Sequence, residues 1–245
     1  MVQIFSIPVL EAFEACEADG SVGCPYCKIY RELQSNELDI ILGASMMEPD
    51  IRIKTNELGF CNPHFGMMMT RKRMLGIGLM LESHLAEVRK KIGAKALLGD
   101  PSAKSLPKIS KLNRDCYVCE RINKNLDAVI STTVYLYEKD ENDFRRKFKS
   151  PEYFCLPHYA MLMEYAAKKM DKKLFREFFD IAEGIEEKYA DTLSGDVSWF
   201  CKKFDYRFDE EPWYNSKDSV QRSVKFLTGS MEDEGEGGRK NKNGN

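Results

Sequence analysis

Apolar residues recur every three or four positions in three long stretches of the chain, which is the spacing of one face of an α-helix. The first stripe comprises Leu81, Leu85, Val88 and Ile92. The second comprises Ile122, Leu126, Val129, Ile130, Thr133 and Tyr137. The third comprises Leu174, Phe178, Ile181, Ile185, Tyr189 and Leu193, with Val197, Phe200 and Phe204 as an extension. The sustained alternation that is typical of strands is absent, so the pattern predicts an all-α fold.

Two stretches interrupt this helical pattern. Residues 99–110 contain two prolines and three serines, which predicts a linker. From residue 229 onward the chain is rich in Gly, Glu, Asn and Lys and has almost no apolar residues, which predicts a disordered tail. The sequence therefore predicts a first helical module at 1–98, a linker at 99–110, a second module with a C-terminal strap at 111–228, and a tail at 229–245.

Each predicted module contains the same set of candidate metal ligands. The first set is Cys24, Cys27, Cys61 and His64, and the second is Cys116, Cys119, Cys155 and His158. The flanking residues repeat as well, because Phe60-Cys61-Asn62-Pro63-His64 matches Phe154-Cys155-Leu156-Pro157-His158. Proline suits the first position of a helix, so each Cys-x-Pro-His is expected at a helix start. We expect the two pairs within each module to close one Cys3His site.

Three thiolates and one imidazole are a common ligand set for structural zinc, and thiolates favour zinc over hard cations. The positive end of a helix dipole further favours the thiolate form. We therefore predict two zinc sites, with iron as an alternative metal. Redox chemistry is a competing interpretation, because Cys24-Pro25-Tyr26-Cys27 is also the glutaredoxin tetrapeptide. That motif requires a preceding strand, whereas an acidic stretch of helical character precedes it here.

Composition and charge restrict the class of protein. Charged residues make up 31% of the chain and the formal charge is −2, which argues against an extensive nucleic-acid surface. The chain contains no run of about 18 apolar residues, so the sequence predicts no membrane span. Residues 4–10 are too short for a secretory signal. We expect a cytoplasmic protein, in which paired cysteines are more often ligands or redox groups than structural disulfides.

Two segments outside the ligand pattern are candidates for binding. Residues 46–57 are rich in charge, which predicts either a pocket lining or a solvated connection. Residues 204–214 mix aromatic and charged residues, which predicts either an anchoring strap or a partner-binding patch. Cys16, Cys201 and His84 are expected to be packed or surface residues rather than ligands. The chain has no phosphate loop, nucleophile elbow or HExxH helix, so no catalytic residue is assigned.

Several of these residues resemble a known family. Residues 43–52, the run Thr55-Asn56-Glu57, and Gly59-Phe60-Cys61 are similar to a group of uncharacterised bacterial proteins. Those proteins carry a domain of unknown function with duplicated Cys-Pro-x-Cys and Gly-Phe-Cys-x-x-His modules. The C-terminal motifs at 198–200, 203–207 and 211–213 are similar too, so the likeness covers nearly all of residues 3–228. The resemblance implies a bacterial cytosolic protein and no particular activity.

Three functional hypotheses follow. The leading one is a non-catalytic, zinc-stabilised helical scaffold that acts through protein partners, because two closed four-ligand sets leave no position for a substrate. The second is a thiol-based redox or metal sensor. The third is an enzyme with a site in a groove between the modules, using Glu48, Asp50, Arg52 or the Asp205–Arg207 segment. Short basic clusters such as residues 71–73 do not by themselves predict nucleic-acid binding.

Overall fold

The structure, a computed structural model, describes residues 2–92 and 101–229. Within these ranges every regular element is a helix, which confirms the predicted all-α fold. The α-helices are α1 (Ser6–Ala18), α2 (Pro25–Ile41), α3 (Pro49–Leu58), α4 (Asn62–Thr70), α5 (Met74–Ile92), α6 (Pro101–Arg114), α7 (Tyr117–Lys139), α8 (Phe144–Lys147), α9 (Leu156–Lys169), α10 (Lys172–Lys202) and α11 (Ser219–Thr228). Short 3-10 turns occur at Val2–Phe5, Gly20–Val22, Ala44–Met47 and Tyr206–Phe208.

The three apolar stripes lie on α5, α7 and α10. Helix α7 buries its complete stripe, from Ile122 to Tyr137. Helix α5 behaves differently, because Leu85 and Ile92 are exposed while Ile77 and Met80 enter the core. Its N-terminal half therefore supplies the packing face, and its C-terminal half carries basic residues in the last turn.

Helix α6 occupies most of the stretch predicted as a linker, so that prediction requires correction. Pro101 is the first described residue of the helix, and proline is tolerated in the first turn, where a missing N–H removes no hydrogen bond. Pro107 lies inside the helix and removes a single internal bond. Lys111 and Arg114 in the last turn favour the helix by opposing the negative end of its dipole. Residues 99 and 100, and the predicted tail beyond residue 229, lie outside the described residues.

The chain forms two compact units whose boundaries differ from the predicted modules. The first unit combines the described parts of Met1–Arg31 and Asp127–Asn245, and the second is Glu32–Leu126. Both boundaries fall within helices, α2 and α7. The sequence repeat suggested two consecutive modules, 1–98 and 111–228. In the structure each unit instead takes helices from both halves of the repeat.

The first unit is built around a cluster of aromatic rings. Phe148 stacks on Phe178 with ring centroids 4.5 Å apart and on Phe154 at 5.4 Å. Phe13 meets Phe144 edge-on at 5.0 Å, and all five rings are fully buried. Each such ring removes a large apolar area from water, and the edge and offset contacts add to that stabilisation. Phe154 immediately precedes Cys155, so this core fixes the loop that carries a candidate ligand.

The second unit has a smaller core of mostly aliphatic side chains. Its buried residues include Leu38, Ile41, Leu42, Thr55, Phe60, Met68, Ile77, Met80, Tyr117, Val118, Ile122 and Leu126. Phe60 packs against Phe65 and Tyr117, with ring centroids 5.3 and 6.4 Å apart. Because Phe60 precedes Cys61 and Tyr117 follows Cys116, this aromatic contact lies directly beside candidate ligands.

Residues 204–214 form a strap that is tied to the end of α10. The Lys203 side chain is 7% exposed, and its ammonium donates to the carbonyl oxygens of Phe208, Asp209 and Glu211 at 2.6, 3.0 and 2.7 Å. The same ammonium lies 5.4 Å from the Trp213 ring centroid. Trp199 donates its indole N–H to the Pro212 carbonyl at 3.0 Å. The anchoring interpretation of this segment is therefore supported by its hydrogen bonds.

We predict that Lys203→Met loosens the strap. The variant loses three charge-assisted hydrogen bonds, so the free energy of unfolding should fall by about 2 kcal/mol. Urea unfolding followed by the fluorescence of Trp199 and Trp213 measures the change. Lys202→Met is the control, because Lys202 is adjacent but exposed and should change stability by less than about 0.5 kcal/mol. Equal stability of both variants would contradict the anchoring role.

Candidate metal centres

The four ligand pairs all lie at helix N-termini. Cys24 and Cys116 directly precede α2 and α7, so Cys27 and Cys119 lie in the first turn of those helices. Cys61 and Cys155 are the N-cap residues of α4 and α9, and His64 and His158 follow three residues later. A spacing of three residues across a first turn brings both side chains to one side of the helix. The predicted proline is present near the start of α4 and α9.

The structure joins these pairs differently from the sequence-based expectation. One group consists of Cys24, Cys27, Cys155 and His158, which we call the Cys24 site. The other consists of Cys61, His64, Cys116 and Cys119, which we call the Cys61 site. The expected pairing of Cys24 and Cys27 with Cys61 and His64 is therefore corrected, because each Cys-x-x-Cys meets the Cys-x-x-His of the other repeat. Each site lies entirely within one compact unit.

The Cys24 site lies in the first unit and is fully enclosed. His158 Nδ1 lies 3.0, 3.5 and 3.7 Å from the sulfur atoms of Cys155, Cys27 and Cys24. The sulfur atoms of Cys27 and Cys155 are 3.5 Å apart. All four residues are buried, and the rings of Tyr26 and Tyr30 flank the imidazole.

The Cys61 site lies in the second unit and is more open. His64 Nδ1 lies 3.1, 3.3 and 3.4 Å from the sulfur atoms of Cys61, Cys116 and Cys119. The sulfur atoms of Cys61 and Cys119 are 3.8 Å apart. Cys116 and His64 are buried, whereas Cys61 and Cys119 are partly exposed. A backbone hydrogen bond from Tyr117 N–H to the Gly59 carbonyl, 3.0 Å long, joins the two ligand-bearing loops.

These distances fit a tetrahedral ion and do not fit disulfides. A disulfide requires sulfur atoms about 2.05 Å apart, and all of these cysteines are free thiols. Around a tetrahedral ion with metal–sulfur bonds of about 2.3 Å and metal–nitrogen bonds of about 2.0 Å, sulfur atoms lie about 3.8 Å apart and sulfur and nitrogen about 3.5 Å apart. Both sites match these spacings within about half an ångström. The four donors in each site therefore fit one four-coordinate metal ion.

Electrostatics also favours a cation at both sites. Burial raises the pKa of the Cys24 thiol, whereas contacts with Cys155 and Cys24 lower the pKa of Cys27. Burial opposes ionisation of Cys116 as well, but His64 and backbone N–H groups lower its pKa to about 6. Burial and the neighbouring Cys116 raise the pKa of Cys119. Ionisation of one thiol at each site thus opposes ionisation of a second, because the two negative charges repel each other. A bound divalent ion would compensate that repulsion.

Two polar residues behind the ligands were missed by the sequence analysis. Gln34 is 3% exposed, and its amide lies 3.1 Å from His64 Nε2, which places a hydrogen-bond acceptor there once the amide is oriented with its oxygen toward the ring. Glu186 is buried and accepts the Phe154 N–H at 2.6 Å, and burial raises its pKa to about 7. Both are polar residues on otherwise apolar helix faces, and that pattern is the signal that could have revealed them. A partner such as Gln34 orients the imidazole of a metal ligand, whereas Glu186 holds the backbone beside Cys155.

The remaining candidates occupy structural positions. Cys16 is buried, which raises its pKa to about 12, and Cys201 is exposed. His84 packs against Gly59 and contacts the Asn56 carbonyl at 3.1 Å. Glu48 and Asp50 are exposed near the start of α3, whereas Arg52 donates to the Leu79 carbonyl at 2.6 Å. Asp205 is paired with Arg207 at 2.6 Å.

The fold and the two sites define a helical protein with a pair of Cys3His candidate metal centres. The chain belongs to a family of unknown function, DUF6062, whose model matches residues 1–234. This match confirms the resemblance to an uncharacterised family. No curated protein and no solved structure matches the chain. Within the described residues, no helix has both the length and the apolar composition needed to cross a bilayer.

The crossed pairing predicts how metal content responds to double substitutions. Cys24→Ser with Cys155→Ser removes two ligands from one site, so the protein should lose about one metal equivalent. Cys24→Ser with Cys61→Ser damages both sites, so it should lose about two. Native mass spectrometry of anaerobically purified protein counts the retained ions. The opposite result would show that pairing occurs within each repeat. In that case the variant with Cys24→Ser and Cys61→Ser would lose one ion, and the variant with Cys24→Ser and Cys155→Ser would lose two.

Proposed function

We propose that the protein is a non-catalytic helical scaffold, stabilised by two structural zinc ions, that acts through protein partners. The observation that carries this proposal is the closure of both ligand sets. Each site has four protein donors at tetrahedral spacing, and three thiolates with one imidazole are a set that structural zinc favours. A catalytic zinc keeps one position for water or substrate, and four protein donors leave none. Iron with the same ligands is the alternative metal.

The placement of the sites supports a structural role for the ions. The Cys24 site joins the starts of α2 and α9, and the Cys61 site joins the starts of α4 and α7. Each ion would therefore bind two helices that are distant in sequence. Cys27 and Cys155 are 128 positions apart, and Cys61 and Cys119 are 58 apart. Cross-linking segments this far apart lowers the conformational entropy of the unfolded chain.

Exposed aromatic side chains support the involvement of protein partners. Phe204, Tyr206 and Tyr214 are 75%, 82% and 69% exposed, although the strap that carries them is anchored by Lys203. Large rings held on a fixed backbone lose little conformational entropy on binding, and aromatic residues are enriched among binding hot spots. The strap thus combines the anchoring role with a surface suited to another protein.

Metal removal tests the structural role directly. Structural zinc sites contribute on the order of 10 kcal/mol in small peptides, and each kcal/mol shifts the melting temperature of a chain this size by about 2–4 °C. Chelation under reducing conditions should therefore lower the melting temperature by at least about 10 °C and reduce the helical circular dichroism signal. Adding zinc back should restore both. A chelated protein that keeps its helicity and melting temperature would contradict a structural role.

A second candidate function, a thiol-based redox or metal sensor, is favoured by one observation. Cys61 and Cys119 are partly exposed and their sulfur atoms are 3.8 Å apart, whereas every ligand of the Cys24 site is buried. Hydrogen peroxide would oxidise these two thiolates to a disulfide and, with two protons from solvent, would itself be reduced to two water molecules, and the site would lose two ligands and release its ion. Accessible thiolates are the ones most susceptible to such oxidation.

The sensor hypothesis predicts site-selective oxidation. Mild peroxide should release about one metal equivalent and link Cys61 to Cys119, and a thiol reductant with added metal should reverse both changes. Peptide mass spectrometry identifies the bond, and a chromogenic chelator measures the released ion. The buried Cys24 site is the internal control and should keep its metal. Release from both sites at the same rate, or retention of both ions, would argue against a sensor.

A further inference from the structure

A groove in the first compact unit is separate from the metal ligands. Its volume is about 790 Å³, within the range of about 300–1,000 Å³ that is typical of small-molecule sites. The walls come from α10, α11, the loop before Cys24 and the loop before Cys155. We call it the α10–α11 groove. Its residues are dispersed from position 20 to position 225, so no sequence motif marks it.

The groove is positively charged in a protein whose formal charge is −2. Four basic side chains line it, Lys149, Lys188, Arg222 and Lys225, against two carboxylates, Glu152 and Asp218. Asp196, which pairs with Arg222, reduces this surplus to one positive charge, and the concave surface concentrates the field that attracts an anion.

The basic residues of the groove divide into two kinds. Arg222 is held in place, because its guanidinium lies 2.7 Å from Asp196 and 3.0 Å from Asp218 and also contacts the Asn215 carbonyl. Lys149 and Lys188 are exposed, and among the described residues their ammonium groups have no hydrogen-bonding partner. Arg222 therefore shapes the wall, while these lysines remain able to contact a ligand.

Two buried tyrosines make the lining rigid. Tyr153 and Tyr189 stack with ring centroids 4.3 Å apart and an interplanar angle of 20°, and both contact Phe226. The Tyr153 ring packs so closely on Gly23 that a Cβ there would lie 2.9 Å from its hydroxyl. Gly23 also has φ of +70°, so glycine is required by both space and backbone.

We infer that the α10–α11 groove binds a small phosphorylated molecule. A phosphate group carries between one and two negative charges near neutral pH, and lysine binds it as a point charge. Lys149 and Lys188, whose ammonium groups have no hydrogen-bonding partner among the described residues, provide donors for its oxygen atoms. The volume and the partial enclosure suit a single small molecule rather than a polymer. This inference is independent of the scaffold proposal, because none of the eight candidate metal-binding residues lines the groove.

Pyrophosphate is the probe for this site. Isothermal titration calorimetry on the metal-loaded full chain should detect binding, and Lys149→Glu with Lys188→Glu should weaken it by at least about tenfold, because two attractive charges become repulsive. Lys172→Glu with Lys173→Glu is the matched control. It makes the same change in net charge on two exposed residues in the first turn of α10, outside the groove, and should leave the affinity within about twofold.

Three results would overturn the assignment. The first is no detectable binding of millimolar pyrophosphate to the wild-type protein. The second is an equal loss of affinity in the control variant, which would indicate non-specific attraction to net charge. The third is tighter binding of citrate than of pyrophosphate, which would assign the groove to carboxylates instead. Circular dichroism and metal content, unchanged in both variants, ensure that a loss of binding reflects the groove and not unfolding.

Discussion

The clustering of three thiols and one imidazole is the constraint that both units share. Three cysteine sulfur atoms and an imidazole lie within 4.8 Å of one another at each site. Buried thiolates at such distances repel one another, and burial itself penalises each charge. Two features reduce that cost. Every ligand pair begins a helix, where the dipole is positive, and the geometry leaves space for one tetrahedral ion.

The two units surround these sites with different packing. In the first unit the ligand loop at 153–155 is held by the stacked phenylalanine core and by the carboxylate of Glu186. In the second unit the core is smaller, and the ligand loops are joined by the Tyr117–Gly59 backbone bond and supported by Gln34. The more enclosed Cys24 site thus coincides with the larger aromatic core. The partly exposed Cys61 site has less packing around it, so the two ions would experience different access to solvent.

The sequence predicted most of the helices and the eight residues that form the two Cys3His groups, but not how the ligand pairs combine. The stripe from Ile122 to Tyr137 located α7 because its spacing reflects burial on one helix face. Pairing was ambiguous because each Cys-x-x-Cys can form the same Cys3His set with either Cys-x-x-His. Helix α6 was missed because its prolines resemble a linker. The α10–α11 groove depends on residues that only the folded chain brings together.

The crossed pairing has a consequence for synthesis on the ribosome, where the chain emerges from its N-terminus. Cys24 and Cys27 emerge first, yet their partners Cys155 and His158 follow more than a hundred residues later. In the interval the next ligands to emerge are Cys61 and His64, which offer the same chemistry in the wrong combination. The nascent chain can therefore assemble a complete but non-native Cys3His set before its own partners exist. A chain that had bound an ion in this combination would reach the native pairing only if the ion exchanged ligands, so the rate of metal exchange would then limit its folding.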